Sequence, residues 1–170
     1  MAFEPEDVIR MLSLVPLPRE GGFFRETYRS DLRIPVSALP PVYTGSRHAG
    51  TAIYYLLTPS TVSLLHRLPG DEIFHFYLGD PVEMVQLHPD GKVYSFVIGN
   101  DLERGMHPQV LVPGGVWQGS RLVAGGRFAL MGTTMAPGFE ADDFKAGNRA
   151  VLLRKFPEYA HLIRALTPEE

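Results

Sequence analysis

A chain of 170 residues with 45% hydrophobic and 21% charged side chains has the make-up of one soluble globular domain, which excludes a disordered polymer. Sixteen basic residues against nineteen acidic ones give a formal charge of −3 without charged runs, excluding a basic nucleic-acid footprint and a polybasic membrane patch. The lack of cysteine removes disulfides, thiolate metal sites and cysteine nucleophiles, so the expected partner is a small molecule or a second copy of the chain.

The opening MAFEPEDVIR is acidic where a signal peptide would be basic and then apolar. No stretch reaches the roughly 18 apolar residues of a membrane span, so a cytoplasmic protein is expected. Pro5, Glu6 and Asp7 suit a first helical turn, and Val8, Met11, Leu12 and Val15 recur at helical spacing until Pro16 and Pro18 stop them. Gly21-Gly22 opens FFRETYRS, whose two-residue alternation reads as a strand; the charges of Arg25, Glu26 and Arg29 read as a solvated edge. Residues 31–50 hold three prolines and two glycines without periodicity and read as a long surface loop.

From Thr51 to Met135 the chain is a series of short strands, TAIYYLLT, TVSLLHRL, EIFHFYL, VEMVQL, VYSFVI, QVLVP and RFALMGTTM. Turn signals at Pro59-Ser60, Pro69-Gly70 and Pro89-Asp90-Gly91 separate them and predict antiparallel neighbours in a barrel or sandwich. TAIYYLLT is apolar on both alternating faces, so one side meets the interior and the other a helix or a second subunit. Asp142 and Asp143 read as a solvated turn. Asn148 caps an expected helix from Arg149 to Phe156, Pro157 breaks it, and YAHLIRAL resumes it. The expectation is a single domain over residues 1–170: a helical segment over 1–20, an all-β barrel over 21–140, and a helical segment over 141–166.

The chemistry-bearing window is HRLPGDEIFHFYLG, His66 to Gly79. His66 and Leu68 share a strand face, the Pro69-Gly70 turn reverses the chain, and Glu72, Phe74 and Phe76 share a face of the next strand. A carboxylate on that face needs a partner, and His66 or an arginine is the expected one. His75 lies on the opposite alternation and is expected to point outward. A second window, PGGVWQG, carries Trp117, a candidate stacking platform, beside Gln118.

These windows resemble the two cupin motifs. In the first motif His66, Glu72 and Gly79 match, while Leu68 replaces a histidine; in the second Pro113 and Gly115 match, while Gln118 replaces the last histidine. EGGFFRETYRS, TAIYYLLTP, LHRLPGDEIFHFYLGDPVEM, LVPGGVWQG and APGFEADDF together are similar to the cupin-5 group. The resemblance implies a jelly-roll-type antiparallel β-barrel, usually a homodimer, and no agreed substrate. Of the usual metal ligands only His66 and Glu72 carry over, with Gln118 as a weak oxygen donor. No permanent cofactor is therefore expected, and a weakly bound divalent metal stays open. The leading functional expectation is a metal-independent isomerase or epimerase on a sugar-like or carbonyl compound. In it His66 is the base, Glu72 its positioner and Tyr28 the acid, with Phe74, Trp117 and Gln118 lining the ligand site. The alternatives are a non-catalytic small-ligand binder and a metal-dependent enzyme with a reduced ligand set.

Overall fold

A computed structural model describes residues 4–168. In chain order its helices are α1 (Pro5–Leu12), α2 (Arg149–Lys155) and α3 (Ala160–Ala165). Its early strands are β1 (Val15–Pro16), β2 (Phe23–Arg29), β3 (Arg33–Ile34), β4 (Arg47–His48) and β5 (Thr51–Leu57). There follow β6 (Val62–Arg67), β7 (Glu72–Gly79), β8 (Val82–Leu87), β9 (Val93–Ile98) and β10 (Gln109–Val112), then β11 (Trp117–Leu122), β12 (Ala129–Met135) and β13 (Lys145–Ala146).

Two antiparallel sheets, ordered β1-β2-β5-β12-β7-β10 and β13-β6-β11-β8-β9, face each other in the arrangement of a jelly roll. Strict alternation fills the space between them. Tyr55 and Leu57 of β5, Phe74 of β7, Met131 of β12 and Val82 and Met84 of β8 share one buried cluster. The other face of β5 meets α1: Leu56 packs with Val8, Leu14, Phe128 and Leu130, which explains why both faces of TAIYYLLT are apolar. The second sheet is covered from outside by the C-terminal helices, where Leu65, Val85 and Leu87 pack against Leu152, Phe156 and Ile163.

Local chemistry sets the element ends. The Asn148 side chain accepts from Val151 N at 2.9 Å, starting α2 where the cap was expected, and Pro157 ends it. Helix α1 stops earlier than the apolar spacing suggests: Ser13 turns left-handed at φ 53°, and Val15 joins β1 instead, opposite Phe24. The 31–50 segment is not all loop, because β3 and β4 pair as a ribbon inside it. Strand β11, WQGSRL, lacks apolar alternation and yet lies between β6 and β8, where burial on both sides tolerates its small and polar residues. The close backbone approach of the two motif turns demands glycine at 114, where a Cβ would stand 2.3 Å from Pro69 O.

Candidate functional site

Glu72 opens β7 with its side chain inside the barrel and only 7% of the residue exposed. Its neighbour is Gln118 of β11, whose Nε2 donates to Glu72 Oε2 at 2.6 Å, and Thr133 of β12 lines the same pocket. Burial pushes the Glu72 carboxyl above its ordinary value, and the negative charge of Glu20 pushes the same way. His66 and the neighbouring Thr133 and Gln118 side chains pull it back.

Glu20 is the residue that brings a second carboxylate to this place. It sits in a turn between Arg19 (φ 67°) and Gly21 (φ 101°), both left-handed. Gly21 lies so close to β6 that a Cβ would be 2.3 Å from Val62 O. The Glu20 carbonyl accepts from Leu64 N at 2.8 Å, which pins the turn to that strand. The Glu20 side chain then enters the barrel, where Oε1 accepts from the Ser63 hydroxyl at 2.9 Å and Oε2 stands 3.8 Å from His66 Nε2. Beneath it the Tyr55 hydroxyl donates to Gly21 O at 2.9 Å, and burial pushes that phenol well above its usual value.

Both carboxyls line one pocket of about 240 Å³. Leu17, Phe24, Ile53, Leu68 and Met135 make its apolar walls, and Glu26, Arg29 and the segment Phe139 to Ala141 form the rim. The rim is latched. Arg29 binds Glu26 through Nε and Nη2 at 2.9 and 2.8 Å, Glu140 through Nη1 at 3.0 Å, and the Phe139 carbonyl at 3.1 Å. Phe139 N donates to the Thr51 hydroxyl at 2.9 Å.

Several sequence expectations change here. His66 is 1% exposed and does not line the pocket: its Nδ1–H donates to Leu64 O at 2.7 Å and its ring stacks on Phe144 at 5.0 Å. It faces Glu20 rather than forming an ion pair with Glu72, whose partner is Gln118. Tyr28 is 56% exposed and outside the pocket. A bulge between Glu26 and Tyr28 shifts the alternation by one residue, so Arg29 takes the inward position that Tyr28 would hold. The charged part of β2 is the expected exposed edge, since β1 pairs only with Phe23 and Phe24, but Glu26 and Arg29 also border the pocket. Phe74, 1% exposed, is core beneath the pocket. Trp117 packs outside the barrel in the cluster under the C-terminal helices, with the Arg67 guanidinium 4.6 Å above its ring. His75 lies outside as well, bonded to the Thr134 hydroxyl at 2.9 Å, and burial pushes its pKa down. Asp143 is not solvated: it is 7% exposed and pairs with buried Arg47.

The profile of the cupin-5 family, described as Cupin superfamily (DUF985), matches residues 6–147. The chain is a cupin-5 protein. An uncharacterized protein of Saccharomyces cerevisiae, YML079W, is 38% identical in an alignment 136 residues long that covers 74% of this chain and 66% of the yeast protein. Protein SO0799 from Shewanella oneidensis has a similar structure at TM-score 0.87 and 34% identity, over 99% of this cupin and all of that chain. A hypothetical protein from Leishmania major is similar at TM-score 0.87 and 31% identity, over 98% of this chain and all of its own. Oxalate decarboxylase from Bacillus subtilis shares the fold alone, at TM-score 0.53 and 15% identity, with 39% of its chain covered.

That decarboxylase has Mn(II) centres, which raises the question of whether this cupin's donors fit a metal. Leu68 stands at one ligand position of the motif. Gln118, at another, turns its amide nitrogen toward Glu72, because a carboxylate accepts and does not donate, so the expected oxygen donor faces elsewhere. Among the described residues no three His, Cys, Asp or Glu side chains are grouped to hold a metal ion. The donor set does not fit a tightly held transition metal, which takes at least three protein ligands. Among the described residues no helix is long and apolar enough to cross a membrane.

Proposed function

We propose that this cupin binds a small polar organic molecule in the barrel pocket and moves a proton on it. The class is a metal-independent isomerase or epimerase of a sugar-like or carbonyl compound. The observation that carries this reading is the convergence of Glu72 and Glu20 on one pocket, with Glu72 buried and its carboxyl raised. Such a reaction removes a proton from the carbon beside a carbonyl and returns one elsewhere, so it needs an acid and a base facing the same atoms and no redox partner. Glu72 keeps its proton to higher pH than a free glutamate and suits the donor, while Glu20, already accepting from Ser63, suits the acceptor. The pocket volume, below the roughly 300–1,000 Å³ of drug-sized sites, favours a metabolite-sized ligand.

The test is incubation with a panel of aldoses, ketoses and hydroxyaldehydes in deuterium oxide, with loss of the carbonyl-adjacent C–H signal followed by NMR. Exchange is expected with the parent and about 100-fold slower with Glu72→Gln or Glu20→Gln. Exchange that both variants leave unchanged, or its absence for every compound that binds, overturns the reading. A second reading, ligand binding without turnover, is favoured by the hydrogen bonds that already satisfy Glu72 and Glu20. It predicts that ligands raise the melting temperature while no proton exchanges.

A further inference from the structure

The charges around the pocket bear on the molecule it takes, an inference that rests on reading this pocket as a ligand site. Among the described residues four carboxyl side chains line it, Glu20, Glu26, Glu72 and Glu140, against one cation, Arg29. Arg29 is already committed: its Nε, Nη1 and Nη2 donate to Glu26, Glu140 and the Phe139 carbonyl at 2.8 to 3.1 Å. The nearby Arg19 guanidinium donates to Ala141 O at 3.1 Å and lies over the Phe144 ring at 4.9 Å. His66 stands behind Glu20 rather than on the lining. An anionic ligand would therefore meet carboxylates with no uncommitted cation on the lining to receive it.

A cation meets the opposite situation. Glu26 and Glu140 neutralise Arg29, which leaves Glu20 and Glu72 facing one enclosed space without a cation of their own on the lining. Both line one pocket, and the charge of Glu20 pushes the Glu72 carboxyl up, a repulsion that a bound cation would relieve. The walls suit the same guest, because the lining includes the aromatic residues Phe24 and Phe139, whose ring type attracts cations, and the aliphatic residues exclude water that would screen the attraction.

We infer that the molecule seated between Glu20 and Glu72 is a small cation, a primary amine that carries no carboxylate or phosphate. Under the isomerase reading, this makes the substrate an amino-substituted sugar or amino-carbonyl compound.

Two matched sets of probes test the inference on the full chain: glucosamine, glucose and gluconate, and 2-amino-1,3-propanediol, glycerol and glycerate. Binding is read from NMR shift changes of the labelled protein, and proton exchange from the same samples in deuterium oxide. The amine of at least one set is expected to bind about tenfold tighter than its neutral member, with the acid weakest. Glu20→Gln, with folding checked by its melting curve, is expected to remove about tenfold of that preference. Neutral or acidic members binding as tightly as the amine in both sets, or neither amine binding in the millimolar range, overturns the inference. Glucosamine binding without exchange at its C2 proton defeats the isomerase reading while supporting the charge inference. Exchange on glucose without amine preference does the reverse.

Discussion

Replacing Asp143 by alanine strips the counter-ion from a guanidinium that the fold has buried. The Arg47 and Asp143 side chains are 6% and 7% exposed and meet in a two-pronged contact, Nη2 to Oδ1 at 2.5 Å and Nε to Oδ2 at 3.0 Å. Arg47's other contacts, the carbonyls of Gly45 and Ser46 and the ring face of Tyr43 at 5.1 Å, carry no full negative charge. Leaving one member of a buried pair alone costs about 3–5 kcal/mol. For a chain of this size each kcal/mol moves the melting temperature by roughly 2–4 °C, so Asp143→Ala is expected to melt roughly 6–20 °C lower. The control is Arg47→Met with Asp143→Leu, which removes both charges and is expected to recover most of the loss. Because Asp143 Oδ2 also accepts from Glu140 N at 3.4 Å, the single variant loosens the rim segment and is expected to weaken ligand binding too. A single variant melting within about 2 °C of the parent, under conditions of reversible unfolding, refutes the argument that this pair is both buried and uncompensated.

Glu72 makes stability depend on pH in a stated direction. Its carboxyl is raised from an ordinary value near 4.5, so the contribution of its neutral form is full below that pH and is lost as pH rises through the raised folded value. Glu72→Gln should therefore match the parent below pH 4.5 and outlast it above; melting curves that run parallel across that range contradict the burial argument. Gly21→Ala puts a Cβ 2.3 Å from Val62 O at φ 101° and is expected to cost about 2 kcal/mol or more, seen as a melting temperature lower by roughly 4 °C or more. Unchanged melting would show that the turn carrying Glu20 has room to spare. Tyr28→Phe should leave ligand affinity and proton exchange unaltered, since the ring is exposed and outside the pocket. A tenfold change in either assay would return Tyr28 to the site.

What the sequence made legible was whatever rests on local pattern. The alternation of TAIYYLLT and EIFHFYL, the Pro-Asp-Gly hairpin and the Asn148 cap depend on neighbours a few residues away, and each took the expected form. The inward placement of Glu72 followed from the same alternation, and that of Gln118 from its position in the second motif. Most of the failures involve long-range partners or a slip in register. Glu20 reaches the pocket because a left-handed turn docks on β6, more than 40 residues away in sequence; the one local sign was the Gly21-Gly22 pair beside it. The bulge in β2 exchanged Tyr28 for Arg29, which no two-residue rule anticipates. Asp143 looked solvated because its partner Arg47 lies 96 residues earlier. Trp117 and Gln118 were grouped as neighbours, yet adjacent residues on a strand face opposite sides, and the C-terminal helices claim the tryptophan.

The most direct test is a crystal structure of the protein with the tightest-binding amine of the probe sets. The account predicts density for the ligand between Glu20 and Glu72, with its ammonium within about 3 Å of a carboxylate oxygen. Density for it at any other place on the molecule, with this pocket holding water alone, would contradict the claim that Glu20 and Glu72 form the site.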